Sequence, residues 1–170
     1  MNFIIDSNVL ITAKNSYYAF DLCPGFWDSL LAQHHAGRTH SLDRIRLELL
    51  QGRDDDSLVK WVHQSVPAGF FLSSNNTEVV TAYTEVMLWV QRNPRFFDSA
   101  KAKFATGADG WLVAYAKVNG CAVVTHEQSR PESRNEVKLP DVCLQFGVVF
   151  QDVFTMLRAL SVRYFYEGAT

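Results

Sequence analysis

The sequence predicts an α/β fold, a three-layer α/β/α sandwich built around a mostly parallel central sheet. The first observation is the apolar run Phe3–Ile5, which is typical of a strand buried on both faces. The second is a similar run over residues 121–125, preceded by a helical pattern that begins near Asp109. Strands that alternate with helices favour parallel sheets, because each helix returns the chain to the same edge.

The first third of the chain divides into elements by periodicity and by its proline and glycine residues. We predict a strand over residues 2–6 and a helix over 24–37, which has proline early and glycine at its end. A second helix is expected from Ser41, its N-cap, to Gly52, its terminator. Glu48 lies on the flank of the apolar face of that helix, from which its side chain can reach into a cleft.

Turn signals and apolar runs predict the rest of the chain in the same way. The acids at 54–56 suit a helix N-terminus, because they complement the helix dipole. The other predicted elements are a strand at 70–72, helices from Asn76 or Thr77 to before Pro94 and over 96–104, a helix from Asp109, a strand at 137–139, a helix from Pro140, a strand at 148–150 and a helix over 152–161. Residues 128–136 are predicted to form a long polar loop.

Composition limits the classes of protein and of ligand. A chain of 170 residues that is 48% hydrophobic is expected to form one domain over 1–170. No apolar stretch reaches ~18 residues, so we predict no membrane span. The three widely spaced cysteines indicate a reducing compartment, the cytoplasm. A net charge of −2 excludes an overtly basic nucleic-acid-binding module, so any polyanion must be held locally.

Four acidic residues stand at the ends of predicted elements. Asp6 ends the first strand, and ligands of parallel sheets bind beyond the carboxyl ends of the strands. Glu48, Asp109 and Glu127 stand at comparable junctions. Together these carboxylates are expected to form an acidic pocket that binds a divalent cation, which would reverse the local charge and admit a phosphate group.

Each of the later acids also has a purely structural interpretation. Thr106 and Asp109 have the spacing of a capping box, with Asp in place of the usual Glu. Asp109 also falls on the inward face of its helix, in phase with the apolar stripe that begins at Leu112, and a cap does not require that placement. Glu127 can be an exposed loop acid, and Asp141 can be a helix cap or an additional site residue.

The four acidic segments, in this order, resemble the PIN-domain nucleases and especially the VapC-type toxin ribonucleases. The segment IIDSNVL contains Asp6 and Asn8, and RLELL contains Glu48. Asp109 opens a helix of the form D-x-x-L-x-A-x-A, and Glu127 follows a strand in T-x-E, where the family has T-x-D. The resemblance extends from residue 3 to about residue 157, nearly the whole chain.

The resemblance implies a PIN-like domain that hydrolyses RNA phosphodiester bonds with Mg²⁺ or Mn²⁺. In that reading, Asp6 and Asp109 bind the metal directly, whereas Glu48 and Glu127 bind a second metal or hold metal-bound water. Asn8 orients a ligand or the phosphate. The resemblance also implies an antitoxin protein as partner and a homodimer as the possible assembly.

Two alternatives belong to other functional classes. One is a haloacid-dehalogenase-like phosphatase with Asp6 as nucleophile, although the expected second Asp is Asn8 here. The other is a PIN-like domain that binds RNA or a protein without cutting. The segment KLPDVC resembles a subgroup with an extended loop before its last strand, in which Asp141 would act beside or instead of Glu127.

Contacts to substrate are expected from basic and aromatic residues near these acids. Arg44, Arg46 and Arg53 flank Glu48, although solvated surface charge is the alternative for each of them. Several aromatic side chains could stack on bases, with core packing as the alternative. These aromatic residues are Tyr17, Tyr18, Phe20, Trp27, Phe96 and Phe97.

Overall fold

The computed structural model describes residues 1–165 and Gly168. The predicted domain, 1–170, also includes residues 166, 167, 169 and 170, which lie outside the described residues. In chain order the described elements are β1 (Phe3–Ile5), α1 (Ser7–Asn15), α2 (Pro24–His35), β2 (Thr39–Leu42), α3 (Asp43–Leu49), α4 (Ser57–Gln64), a 3₁₀ turn (Ala68–Phe70), β3 (Phe71–Leu72), α5 (Thr77–Arg92), α6 (Asp98–Thr106), α7 (Asp109–Asn119), β4 (Ala122–Val124), α8 (Leu139–Gln145), β5 (Phe150–Gln151) and α9 (Val153–Ala159).

The five described strands form one parallel sheet in the order β3-β2-β1-β4-β5, and helices flank it. The predicted α/β/α sandwich is therefore confirmed. β1 occupies the centre, where Ile4 pairs with His40 on one side and Val123 on the other. Since the chain builds outward from β1 to β3 and then resumes on the opposite side with β4, the strand order reverses between β1 and β4.

Burial explains why the sequence predicted the central strands β1 and β4 but not β2. The side chains of β1 are at most 2% exposed, as expected for a strand covered on both faces. In β2, Thr39 and Ser41 are fully buried although both are polar. Their hydroxyl groups donate to the Leu30 carbonyl at 2.9 Å and the Ile5 carbonyl at 2.7 Å. The predicted N-cap role of Ser41 is wrong, because Ser41 belongs to a strand and α3 begins at Asp43.

Several predicted helix starts are confirmed by capping hydrogen bonds. The side chains of Asp56, Asn76 and Asp152 accept from backbone N–H groups two or three residues further on, at 2.8, 2.9 and 2.7 Å. Helix α1 was not predicted. It follows Asp6 directly and buries Val9, Leu10 and Ala13.

Other boundaries differ from the predictions. The strand predicted at 137–139 is wrong, because Leu139 already begins α8. The polar loop over 128–136 is confirmed, since residues 125–138 contain neither helix nor strand. The last strand begins at Phe150, later than predicted, and the helix predicted over 96–104 runs from Asp98 to Thr106. Among the helices of the described residues, none has both the length and the apolar character needed to span a bilayer.

Candidate active site

The candidate site lies where β1 and β4 end side by side. Asp6 follows β1, and its backbone N–H donates to the Val124 carbonyl of β4 at 3.0 Å. The Asp6 carboxylate is 3% exposed. Its Oδ2 accepts a hydrogen bond from the hydroxyl of Thr125 at 2.9 Å. The reversal in strand order thus presents a buried carboxylate at the crevice where parallel sheets bind their ligands.

Thr125 connects three parts of this crevice through one hydroxyl group. Besides donating to Asp6, its oxygen accepts from the Asn8 side-chain amide and from the Glu127 backbone N–H, both at 3.1 Å. A threonine hydroxyl has one donor and two acceptor sites, so its capacity is fully used. Asn8 also accepts from the His126 backbone N–H at 3.1 Å. Asn8 therefore holds the segment after β4 with both ends of its amide.

Glu48 reaches the site from the flank of α3, as the helical period predicts. Its Oε2 accepts from the hydroxyl of Ser7 at 2.8 Å, and its Oε1 accepts from the backbone N–H of Ala108 at 2.9 Å. The second bond satisfies a backbone donor at the N-terminus of α7, where intrahelical acceptors are absent. Glu48 consequently ties α1 and α7 to α3 across the crevice.

Asp109 is the first residue of α7 and faces the site. The capping-box interpretation is wrong, because Thr106 ends α6, where its hydroxyl donates to the Lys103 carbonyl at 2.9 Å. Ala108 occupies the N-cap position of α7 without a side-chain bond. The predicted inward stripe is confirmed, since Leu112 is fully buried. Asp109 lines a cavity of about 320 Å³ beside that stripe.

Glu127 points from the segment after β4 toward the start of α8. Its Oε2 accepts from the Leu139 backbone N–H at 3.0 Å, and its Oε1 lies 3.9 Å from the ammonium of Lys138. Glu127 lines the same 320 Å³ cavity as Glu48 and Asp109. The alternative of an ordinary exposed loop acid does not hold, because the side chain is partly buried and bonded across the loop.

The structure places Asp141 apart from the other acids. Its carboxylate is 9% exposed and accepts from the Ser129 hydroxyl and the Arg130 backbone N–H. It lines a separate cavity of about 290 Å³ that also contains Trp89 and Arg95. Asp141 thus secures the loop over 128–136 and is not brought into the cluster formed by Asp6 and its neighbours.

Burial and mutual repulsion change the acidity of two members of the cluster. Burial raises the pKa of Asp6 to about 7, with smaller increases from the charges of Glu127 and Glu48, against the opposing hydrogen bond from Thr125. Burial also raises the pKa of Asp109 well above its usual range, and the charges of Asp6, Glu127 and Glu48 add to the increase. The four predicted acids are therefore close enough to influence one another electrostatically.

Two lysines provide the positive charge around the cavity. Lys138 pairs with Glu136 at 2.7 Å, and Lys103 lies 3.6 Å from the same carboxylate. Both lysines and Glu136 line the cavity with the three acids named above. Lys138 lowers the pKa of Asp109, but this effect is smaller than the increases caused by burial and by the three neighbouring acids.

The carboxylates around the acidic cavity are oxygen ligands, the kind that Mg²⁺ and Mn²⁺ prefer. Among the described residues, no group of three or more His, Cys, Asp or Glu side chains is arranged to hold one ion. Mg²⁺, however, commonly binds through one or two carboxylates and retains several water molecules. Asp109 lines the cavity, and the second oxygen of Asp6 has only a long contact of 3.4 Å with Ser7. These two residues are the ones that would hold a hydrated divalent ion.

Sequence reasoning gave no role to the groups that hold the acids in place. Ser7 was missed, although its place directly after Asp6 in IIDSNVL was a usable signal. Thr125 was noted only as part of a motif. Ser7 holds Glu48 and Thr125 holds Asp6 by single hydrogen bonds. Their hydroxyl groups orient the carboxylates, as supporting residues around metal sites do.

Fold and site together define an α/β/α protein with an acidic cavity at the carboxyl edge of a parallel sheet. Residues 3–164 match the family described as a domain of unknown function, DUF4411. Because the match covers almost the whole chain, the chain belongs to this family. No curated protein sequence matches the chain. The family description names no activity.

Proposed function

We propose that this protein is a divalent-metal-dependent endoribonuclease of the PIN-domain type and the toxin of a toxin–antitoxin pair. One observation carries the proposal. Asp6, Glu48, Asp109 and Glu127 come from four separate segments of the chain, and the charges of the other three raise the pKa of Asp109. This set comprises the four acids that the resemblance to PIN-domain nucleases identifies.

The energetic cost of such a cluster favours a functional role. Burial and like charge both oppose ionisation of Asp6 and Asp109, and a fold selected for stability alone would avoid them. Strongly perturbed carboxylates in a cleft are typical of catalytic and ion-binding sites. A bound cation would remove the repulsion, which explains how the cluster is tolerated.

The four acids would have different roles at a metal site, which depend on how their carboxylate oxygens are already bonded. Asp109 and Asp6 would hold Mg²⁺ or Mn²⁺, because Asp109 lines the cavity and one oxygen of Asp6 has only the long contact with Ser7. Glu48 and Glu127 would hold water molecules or a second ion, since their oxygens already accept backbone or hydroxyl donors. When bound, the metal supplies a Lewis acid that activates water and offsets charge on the phosphate. Thr125 keeps Asp6 oriented throughout.

RNA cleavage by purified protein tests the proposal. We expect a labelled RNA to be cut with Mg²⁺ or Mn²⁺ and to remain intact in excess chelator. Asp6→Asn and Asp109→Asn should each lower the rate at least ~100-fold, because they remove a metal ligand. Asp54→Asn is the matched control, since Asp54 is exposed in the turn before α4 and is not among the residues that line the cavity. Cleavage that persists in chelator would contradict the metal mechanism.

A domain that binds RNA or a protein without cutting is the second candidate. It is favoured by the absence, among the described residues, of three acids arranged around one point. It predicts RNA binding without cleavage under every metal condition. The phosphatase alternative has less support, because Asp6 is buried and Asn8 is engaged with Thr125 and His126. A covalent phosphoryl group trapped on Asp6 would support the phosphatase.

The proposed biological setting follows from the resemblance. A toxin of this type acts in the cytoplasm, binds an antitoxin protein and forms a homodimer. The three free cysteines, Cys23, Cys121 and Cys143, suit a reducing compartment. Growth arrest on expression is the corresponding cellular test.

A further inference from the structure

A second groove adjoins the acidic cavity. It has a volume of about 390 Å³ and is bordered by Arg44, Tyr83 and Trp111. Glu48, together with Thr106 and Gly107 of the α6–α7 junction, lines both the groove and the acidic cavity. A linear ligand can therefore extend from the acidic cavity into the groove past these shared residues.

The groove contains an arginine fixed on an aromatic stack. Tyr83 stacks on Trp111 with ring centroids 3.7 Å apart and an angle of 7° between the planes. The guanidinium carbon of Arg44 lies 4.6 Å from the Trp111 ring centroid. Because a ring at 3.7 Å fills one face of the indole, Arg44 occupies the opposite face. Its Nε also donates to Ser74 Oγ at 3.2 Å, and Ser74 in turn donates to Asp43 at 2.7 Å.

A glycine next to a site carboxylate permits this stack. Gly110 follows Asp109 in α7, and a Cβ atom there would lie 3.0 Å from the Tyr83 ring. Any side chain at position 110 would press on Tyr83, which stacks on Trp111 and thereby supports Arg44. The helix that presents Asp109 to the cavity therefore also maintains the platform under Arg44.

The charge of Arg44 is available to a ligand. Arg44 forms no ion pair with any of the described residues. Arg44 lines the groove, and the hydrogen bond to Ser74 uses its Nε and not its terminal nitrogens. A guanidinium held by stacking loses little conformational freedom on binding, and its remaining N–H donors match the geometry of a phosphate.

We infer that Arg44 binds the phosphate next to the scissile one in a single-stranded RNA, so that the groove is a substrate subsite. The inference rests on the proposed function, because the acidic cavity would hold the scissile phosphate. Neighbouring phosphates of one strand must lie in adjacent sites, and the two cavities are adjacent because Glu48, Thr106 and Gly107 line both of them. Trp111 positions Arg44 and does not itself stack on a base, since both its faces are covered.

Equilibrium RNA binding tests the subsite. A fluorescein-labelled single-stranded RNA of mixed sequence is titrated with the Asp109→Asn protein, alone or combined with Arg44→Gln, and anisotropy is recorded over a range of salt concentrations. We expect Arg44→Gln to raise Kd about tenfold and to reduce the slope of log K against log salt by ~0.7, the loss of one phosphate contact. Arg44→Lys should keep the slope, because the charge remains.

Arg46→Gln is the matched control. Arg46 is exposed on the same helix, and two residues place it about 200° around from Arg44. We expect Arg46→Gln to change neither Kd nor the slope appreciably. Equal effects of the two substitutions would overturn the subsite, even if the protein cuts RNA as proposed. If no RNA is cut under any metal condition but the Arg44 effect is present, Arg44 is a phosphate-binding residue of an RNA-binding groove, and the nuclease proposal fails.

Discussion

Replacing Asp6 with Asn is expected to stabilise the protein in the absence of metal. Asp6 is 3% exposed, and its pKa is raised from 3.8 to about 7, mainly by burial. A group whose pKa is raised on folding binds more protons in the folded state, so its ionisation destabilises the fold as pH increases. Asn is neutral at every pH and keeps an oxygen that can accept the Thr125 hydrogen bond.

The magnitude follows from the pKa difference. At about 1.36 kcal/mol per pH unit, ionised Asp6 destabilises the fold by about 4 kcal/mol above pH 7. The amide NH₂ of Asn needs a new acceptor in a buried place, which offsets part of this gain. We therefore expect a net stabilisation of about 2 kcal/mol at pH 8, or roughly 4–8 °C in melting temperature for a domain of this size.

Thermal denaturation in chelator at several pH values measures the effect. The advantage of Asp6→Asn should be largest at pH 8, shrink as pH falls through 7, and come to less than ~1 kcal/mol near pH 4, where the carboxyl is protonated in the folded state and about 40% protonated in the unfolded chain. Asp152→Asn is the control, because the pKa of Asp152 is lowered, chiefly by the Thr155 N–H. Asn caps as well as Asp, so that change should stay within about 0.5 kcal/mol.

Magnesium should narrow or reverse the difference in melting temperature between Asp6→Asn and the wild type. The wild-type protein gains free energy of unfolding from ligand binding, whereas the variant has lost a ligand. The reasoning would be refuted if Asp6→Asn melted below wild type in chelator at pH 8, with a difference that did not depend on pH. Melting temperatures that magnesium left unchanged in both proteins would refute the metal site specifically.

Two further predictions concern the last acid and the cellular role. Glu127→Gln should lower the rate of RNA cleavage at least tenfold. Asp141→Asn should leave that rate nearly unchanged but lower the melting temperature, because Asp141 accepts hydrogen bonds from Ser129 and Arg130. Equal, negligible losses of activity in the two variants would indicate a three-acid site. Expression of the wild-type protein in a bacterial host should stop growth, and Asp6→Asn should relieve the arrest. Arrest by the inactive variant at the same protein level would contradict a nuclease toxin.

The parts of the fold that sequence predicted correctly are those in which burial and polarity agree. β1 and β4 consist of apolar residues and are fully covered, and α5 begins at the predicted cap, Asn76. β2 escaped prediction because Thr39 and Ser41 satisfy their hydroxyl groups with carbonyls that only the folded chain brings near. A periodicity argument assigns such residues to a surface or a cap.

The same limit applied to the site. The sequence predicted where Asp6, Glu48 and Asp109 lie in their elements, because strand ends and helix periodicity are local properties of the chain. The hydrogen-bond partners of their carboxylate oxygens could not be predicted, since Ser7 and Glu48, for example, are 41 positions apart in sequence. Asp141 was considered as an additional site residue because it lies near Glu127 in sequence. In the fold its carboxylate instead accepts hydrogen bonds from the loop over 128–136, and the sequence does not reveal the path of that loop.

The position of β1 at the centre of the sheet bears on how the protein is made. β1 leaves the ribosome first, but its neighbour β4 and the hydroxyl that holds Asp6 arrive 119 positions later. A nascent chain that ends before Thr125 lacks one side of the crevice, and Asp6 then has neither its hydrogen bond nor its burial against β4. Products that end before Thr125 are thus expected to be inert, and the acidic cluster comes into existence only after Thr125 and Glu127 have been synthesised.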